Sequence, residues 1–180
     1  MRERLNKFSY YLVTFFMSVL IGMFLIIICD LPLKFLRIVH MDLVRFIIHF
    51  LGTCIALYVR SYSRSYHANT RTYTFSLKTA LLSIGAVFLV QVLLVVILGV
   101  KNGGHAIYIA GPSRSLANYV LSLMNPSSNN QYAMYCQLNW TFMILLDIFV
   151  FAPIMILGEY WGAKQHQKDL AFEKSQKPLY

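Results

Sequence analysis

The stretch from Phe8 to Cys29 reads FSYYLVTFFMSVLIGMFLIIIC and decides the class of this protein. It contains no charged side chain, and it is as long as the roughly 20 apolar residues that a helix needs to cross the hydrocarbon core of a bilayer. It is longer and more apolar than the core of a signal peptide, and no small-residue cleavage site follows it. We therefore expect a membrane-spanning helix over residues 8–30 that is kept in the mature protein.

Three further stretches have the length and composition of membrane-spanning helices. They cover residues 41–60, 79–100 and 138–158. The first of these three is the least apolar, because it carries Asp42, Arg45 and His49, and we expect neighbouring helices to cover those groups. The last contains Pro153, which a membrane helix tolerates when neighbouring groups satisfy the carbonyl that proline frees.

The composition of the whole chain supports the same class. Of its 180 residues, 58% are hydrophobic and only 13% are charged, whereas soluble domains carry about 25% charged residues. This difference excludes an ordinary water-exposed surface, and the high apolar content excludes intrinsic disorder. We therefore expect an all-α fold: a polytopic integral membrane protein made of one domain, a bundle of four transmembrane helices.

The basic residues predict the orientation of this bundle, because basic residues in short flanks mark the cytoplasmic side of a membrane. With the N-terminus inside, the cytoplasmic flanks hold Arg2, Arg4, Lys7, Arg60, Arg64, Arg71, Lys78, Lys164, Lys168, Lys174 and Lys177, and the external flanks hold only Lys34, Arg37, Lys101 and Arg114. We therefore expect both termini in the cytoplasm, with residues 162–180 as a cytoplasmic tail. The sequence shows no transit or retention signal, so the expected location is a cell membrane, the bacterial cytoplasmic membrane.

The long external loop, residues 101–137, has a helical pattern of its own. Between Pro112 and Met124, apolar residues recur at the i, i+3, i+4 and i+7 spacing of one helix face. These residues are Leu116, Tyr119, Val120 and Leu123. Ser113 can cap this helix, and Pro126 follows its end. We expect one external amphipathic helix that lies on the outer membrane surface or is tucked between the spans.

Polar residues near the centres of the spans are the candidate functional residues. Ionisable groups are costly in lipid and mark ion or substrate paths. We predict a polar transport path that consists of Arg45, His49, Gln91 and Asp147. In this path a His49–Asp147 pair would act as a proton relay at the midplane, where transporters often bind coupling ions. The alternative is a hydrogen-bonded clasp that only fixes helix packing.

Arg45 and His49 also belong to a polar stripe along the second span. Asp42, Arg45, His49 and Thr53 fall on one side of a helix. Asp42 and Arg45, three residues apart, can pair directly. A functional stripe would point into the bundle, whereas in the alternative interpretation Asp42 and Arg45 simply lie at the external membrane interface.

A second group of candidate residues lies where the helices leave the membrane. Aromatic and basic side chains at this depth form an interfacial belt and attract anionic lipid headgroups. The residues are Arg60, Tyr62, Arg64, Tyr66 and Trp161. Interleaved basic and aromatic residues can also bind single-stranded nucleic acid, but at the mouth of a membrane span we expect lipid contact and no nucleic acid.

Small residues repeat at four-residue spacing in the first span, at Thr14, Ser18 and Gly22. Such residues let membrane helices approach closely. The spacing predicts a close helix contact, made either with another helix of the same chain or with a second copy of the chain.

Motifs for catalysis or cofactor binding are absent from the sequence. It contains no HExxH, GxSxG, P-loop or CxxC motif, and Cys29, Cys54 and Cys136 lack metal-ligand spacing. A haem would need axial ligands on facing helices, and only His49 lies at a suitable depth. We therefore expect no enzymatic activity, no metal and no cofactor.

Two classes of function remain open from the sequence. The first is a small transporter, channel or transporter subunit that uses the predicted polar path. Four helices leave limited room for a solute, so this class predicts a homo-oligomer or a larger membrane protein as partner. The second is a non-catalytic accessory or assembly subunit of a membrane complex, whose polar groups fix helix packing.

Overall fold

The fold is known from a computed structural model, which describes residues 2–35, 41–67, 77–101, 112–124 and 128–176. These residues are all helical, which confirms the predicted all-α class, and the described ranges contain no strand. The helices are α1 Arg2–Phe35, α2 Met41–His67, α3 Leu77–Lys101, α4 Pro112–Met124, α5 Ser128–Leu146 and α6 Ala152–Gln176. A π-helical turn, Asp147–Phe151, joins α5 directly to α6; we refer to it as the π-turn.

Among the described residues, three helical segments are long and apolar enough to cross a membrane. They are Lys7–Cys29 in α1, Asp42–His67 in α2, and Gln131–Ser175, which covers most of α5 and α6. In α3, the described apolar stretch Leu77–Leu93 is shorter. Large apolar side chains such as Phe149, 71% exposed, cover the outside, whereas Thr14 and Thr53 are fully buried. These features indicate a membrane protein, because an apolar outer surface suits lipid rather than water.

The segment formed by α5, the π-turn and α6 is longer than the predicted span 138–158. It starts at Ser128, inside the predicted external loop 101–137, and continues to Gln176, through most of the predicted tail 162–180. The chain has no proline between Pro153 and Pro178, so nothing interrupts the helix. At 1.5 Å per residue the segment is about 70 Å long, more than twice the hydrocarbon thickness of a membrane. Residues 102–111, 125–127 and 177–180 of the loop and tail lie outside the described residues.

Helix α2 lies at the centre of the packing and contacts α1, α4 and α6. The apolar core combines residues from several helices, with Phe15 of α1, Leu57 of α2, Val87 of α3 and Phe151 of the π-turn all buried. The rings of Phe15 and Phe151 have centroids 5.7 Å apart. The four-residue repeat of α1 belongs to this packing, because Thr14, Ser18 and Gly22 are buried within the chain.

Helices α2 and α6 approach each other closely. A Cβ on Gly158 would lie 2.7 Å from the carbonyl oxygen of Tyr58, and a Cβ on Gly162 would collide with the carbonyl oxygen of Tyr62. Gly158 and Gly162 are four residues apart, the small-residue spacing that membrane helices use for close contact. Gly158 and Gly162 are not among the contact residues predicted from the sequence.

Helix α4 is present where the sequence predicts it, but it buries a different face. Its buried residues are Pro112, Ser113, Ser115, Ala117 and Leu121, whereas Leu123 of the predicted apolar face is 62% exposed. The Ser113 Oγ donates a hydrogen bond of 2.9 Å to Asn139 Oδ1, and α4 packs against α2 and α5. The face that packs carries Leu121 and otherwise mostly small or polar side chains, because in an apolar environment large side chains gain little from facing inward.

Candidate functional site

Gln91 of α3 and Asp147 at the start of the π-turn form a deeply buried polar pair that includes an ionisable group. The Gln91 Nε2 donates a hydrogen bond of 2.6 Å to Asp147 Oδ1. The Asp147 residue is 1% exposed and Gln91 is 4% exposed. Asp147 Oδ2 and Gln91 Oε1 have no hydrogen-bond partner among the described residues. The pair therefore leaves two buried oxygen acceptors without a donor, an arrangement that native proteins rarely leave unused.

The π-turn that carries Asp147 follows from Pro153. Proline has no N–H, and its ring would collide with the carbonyl four residues earlier, that of Phe149. Widening the helix just before the proline avoids this collision, and the Ala152 N–H donates to the Asp147 carbonyl, five residues back. Within the turn Asp147 and Phe151 are buried. Single π-turns inside α-helices are frequent at functional sites, and this one directs a carboxyl group into the bundle.

His49 lies at the depth of Asp147 but does not bond to it. Gly158 of α6 lies opposite Tyr58 and Ser61 of α2. About three helical turns before these positions, α6 leads back to Asp147 and α2 leads back to His49. The two residues therefore lie at a similar depth in the bundle. The His49 ring instead lies against Gly22 of α1, beside Thr53. His49 Nε2 has no hydrogen-bond partner within the described ranges.

The structure therefore shows no direct His49–Asp147 hydrogen bond: Gln91 bonds to Asp147, and the His49 ring is turned toward α1. The cause is the lack of a side chain at Gly22, which opens space for the imidazole between α1 and α2. Depth in the membrane follows from sequence position, but the direction of a side chain around the helix depends on which helix packs where.

Arg45, the fourth residue of the predicted path, pairs with Asp42 near the start of α2. Its Nη1 lies 3.7 Å from Asp42 Oδ1, which confirms that these two residues pair at i, i+3 spacing. Both side chains are partly exposed. Asp42 and Arg45 therefore lie near the end of α2 where the helix begins, one turn or more away from His49.

The predicted interfacial residues make contacts between helices as well as facing outward. The Tyr62 ring stacks between those of Tyr58 and Tyr66, with centroids 6.1 and 6.2 Å away. The Tyr66 hydroxyl donates a hydrogen bond of 2.8 Å to Asp169 Oδ2. The Arg64 guanidinium lies 3.3 Å from the centroid of the Tyr10 ring.

The other two predicted interfacial residues, Arg60 and Trp161, are exposed. The ammonium group of Lys164 lies 5.0 Å from the centroid of the Trp161 ring. The predicted contact of this whole group with anionic lipid stays a prediction.

Sequence reasoning missed a second buried carboxyl group, that of Glu159 in α6. The Tyr11 hydroxyl donates a hydrogen bond of 2.8 Å to Glu159 Oε2, and Lys7 Nζ lies 3.9 Å from the same oxygen. Lys7 Nζ also donates to Thr79 Oγ1 at 3.5 Å, and the Ser65 hydroxyl donates to the Glu159 backbone carbonyl at 2.7 Å. This Glu159 cluster joins α1, α2, α3 and α6. Lys7 and Glu159 each border an apolar run. This position at the ends of two spans is the sequence signal from which an ion pair between them could have been predicted.

The described residues contain no group of three or more His, Cys, Asp or Glu side chains arranged to hold a metal ion. No protein-family model matches the chain, and no curated protein or solved structure does so either. Function therefore has to be inferred from the geometry of the chain itself.

Proposed function

We propose that this protein is a small multi-pass transport protein, a transporter, channel or transporter subunit, in which Asp147 binds and releases a proton or a small cation. The observation that carries this proposal is the buried Gln91–Asp147 pair, whose Asp147 Oδ2 and Gln91 Oε1 lack donors within the described residues. Gln91 positions the carboxyl group through its amide N–H, and the free carboxyl oxygen faces the ligand.

The chemistry of the pair fits a proton better than a purely structural clasp. A proton on Asp147 Oδ2 converts that acceptor into an O–H donor, and Gln91 Oε1 is an acceptor without a donor. A clasp that only fixed packing could use two neutral side chains and avoid the cost of an ionisable group in the membrane interior. The use of a carboxyl group supports reversible binding.

The proposal includes the finer topology predicted from the sequence. It takes four spans, 8–30, 41–60, 79–100 and 138–158, with both termini in the cytoplasm of a bacterial cell. The helical extent of α3, Leu77–Lys101, supports the third span because it is long enough to cross a bilayer.

Labelling of single cysteines tests this topology. Ser63 of α2 and Ser122 of α4 are exposed and would face opposite sides of the membrane. In a background in which Cys29, Cys54 and Cys136 are replaced, Ser63→Cys should react with an impermeant maleimide only after the membrane is opened. Ser122→Cys should react in intact cells. Labelling of both from one side would contradict the four-span topology.

Proton flux into vesicles tests the role of Asp147 directly. The purified protein is reconstituted into liposomes with a pH-sensitive dye inside, and a potassium diffusion potential drives proton entry. We expect Asp147→Asn to reduce this flux to that of empty liposomes, because the amide cannot take up the proton. Asp42→Asn is the matched control, since it makes the same change at a partly exposed carboxyl group.

A transporter that moves protons only with a solute would show no flux in this assay, so the binding step needs its own measurement. Infrared difference spectroscopy between acid and alkaline pH reports carboxyl groups that gain a proton. We expect a band that is present in the wild type and in Asp42→Asn and absent in Asp147→Asn. A wild-type spectrum without a band that depends on Asp147 would contradict the proposal.

A second candidate function, an accessory or assembly subunit, has one specific observation in its favour. Helix α6 continues far beyond the predicted span, and this extension exposes Leu170 and Phe172 among polar residues. Such apolar side chains can dock onto a partner. Gentle purification followed by native mass spectrometry distinguishes the two functions.

Each function predicts a different result in that experiment. A closed homo-oligomer would favour transport by the chain itself. If the chain co-purifies with a larger membrane protein, and the double variant Leu170→Ser, Phe172→Ser does not, the assembly function would be favoured.

A further inference from the structure

An apolar groove runs between α3 and α6 on the outside of the bundle. Its volume is about 430 Å³. Ala80 and Ile84 of α3 form one wall, and Ile148, Ala152, Ile156 and Tyr160 from the π-turn and α6 form the other. The hydroxyl of Tyr160 is the one polar side-chain group among these six residues. The groove lies on the opposite side of α6 from the glycine contact with α2.

The surroundings of the groove are those of a lipid-facing surface. Leu157 also lines the groove, and it is exposed, as are Leu81 and Phe149, which follow the lining residues Ala80 and Ile148 in the chain. From Ile148 to Tyr160 the wall extends about 18 Å at 1.5 Å per residue. That length is close to half of the roughly 30 Å hydrocarbon core, which is the thickness of one leaflet. The groove therefore has the length and polarity of a single extended acyl chain.

One end of the groove carries a positively charged group at a defined position. Ala152, Ile156, Tyr160 and Lys164 recur every four residues on one face of α6. The Lys164 ammonium lies 5.6 Å from the centroid of the Tyr160 ring and 5.0 Å from that of Trp161. Tyrosine and tryptophan prefer the depth of the lipid headgroups, so Lys164 is held where a lipid phosphate would lie.

We propose that this groove binds an anionic glycerophospholipid, with one acyl chain between α3 and α6 and the phosphate on Lys164. The sequence of an apolar wall, an aromatic ring and a cation along a single face matches the order of chain, glycerol and phosphate in such a lipid. An apolar helix in the same groove would leave the charge of Lys164 unmatched. This site is separate from the Gln91–Asp147 pair, and it does not depend on a transport function.

Fluorescence quenching of Trp161 tests the site. The chain has two tryptophans, so Trp140→Phe leaves Trp161 as the single reporter. The protein is placed in phosphatidylcholine vesicles that contain an equal mole fraction of either brominated phosphatidylglycerol or brominated phosphatidylcholine with identical chains. We expect the anionic lipid to quench Trp161 several-fold more strongly than the zwitterionic lipid, because it occupies the groove preferentially.

Two pairs of variants separate a specific site from general attraction to a charged surface. Lys164→Gln should abolish the preference for phosphatidylglycerol. Lys78→Gln removes an exposed cation near the start of α3, on the side of that helix away from the groove. This variant should keep the preference for phosphatidylglycerol. Ala80→Leu, which fills the groove without changing charge, should also lower the preference, whereas Ala171→Leu at an exposed position of α6 should leave it unchanged.

Four results would overturn the proposal. The first is equal quenching by both lipids in the wild type. The second is an equal loss of preference in Lys164→Gln and Lys78→Gln, which would show diffuse attraction. The third is a preference for phosphatidylglycerol that survives Ala80→Leu. The fourth is a set of native mass spectra in which binding of a second copy of the chain depends on Lys164 and no bound phosphatidylglycerol is detected.

Discussion

Asp147 and Gln91 show how a single hydrogen bond can position an ionisable group inside an apolar bundle. The bond is short and buried, and it uses one oxygen of the carboxyl group, so the other remains available. If Asp147 exchanges a proton, Gln91 must hold the carboxyl group both with and without that proton. The amide N–H can do so because Asp147 Oδ1 is an acceptor in both protonation states.

Thermal stability distinguishes the two roles of this pair. Asp147→Asn keeps an acceptor for the Gln91 N–H, so we expect little change in the unfolding temperature while proton binding is lost. Gln91→Leu removes the bond, and we expect it to lower stability by about 0.6 to 2 kcal/mol, the range for polar contacts between membrane helices. Both variants are compared with wild type by thermal unfolding in one detergent. A large loss of stability in Asp147→Asn would show that packing depends on the carboxyl group itself, which would count against a role in proton binding alone.

Helix α6 combines two contrasting faces along its length. Gly158 and Gly162 lie against the backbone of α2, and the face with Ile156 and Tyr160 forms the groove wall. The tight contact sets the register between α2 and α6, and that register places Asp147 and His49 at one depth. Anything that pushes α6 away from α2 is therefore expected to disturb the buried polar pair as well.

Gly162→Ala tests the importance of this contact. Its Cβ would collide with the Tyr62 carbonyl oxygen, part of a backbone that cannot move aside easily, so we expect a loss of about 1 to 3 kcal/mol from overpacking. Gly85→Ala is the matched control, because within the described part of the chain no atom beyond the adjoining turns of its own helix lies within 4 Å of a Cβ at that position. There the better helix propensity of alanine should leave stability unchanged or raise it slightly. Equal effects of the two substitutions would show that the contact between α2 and α6 is unimportant.

Across the whole molecule, the Glu159 cluster holds four helices together at one end of the bundle. Tyr11 of α1 and Ser65 of α2 donate to Glu159, while Lys7 links Glu159 to Thr79 of α3. A buried carboxyl group is costly unless donors surround it. Its partners come from distant parts of the chain, so this cluster can form only when the bundle is assembled.

Tyr11→Phe is expected to destabilise the whole bundle. It leaves the Glu159 carboxyl group with one donor fewer in a buried position, which costs about 1 to 3 kcal/mol. Tyr132→Phe makes the same change at an exposed tyrosine and should have little effect. The unfolding temperatures of both variants, measured in one detergent, check this expectation. Equal unfolding temperatures would show that the Glu159 cluster contributes nothing to stability.

The sequence by itself determined what depends on neighbours along the chain. The apolar runs predict the helices, because a backbone in lipid must satisfy its own hydrogen bonds. The Asp42–Arg45 pair follows from three-residue spacing, and the helix between Pro112 and Met124 follows from local periodicity and capping. The depth of Asp147 along its helix is also a local property.

Tertiary structure alone decided which side chains meet. Gln91 and Asp147 are 56 residues apart, and Tyr11 and Glu159 are 148 apart, so no local pattern connects them. The inward face of a helix such as α4 could not be predicted from the sequence pattern either. Surrounding lipid is as apolar as the core, so hydrophobic periodicity does not identify the interior. The physical reason is the solvent: in water burial selects apolar faces, whereas in a membrane large apolar side chains lie both in the core and on the outside, so small and polar side chains decide where helices pack closely.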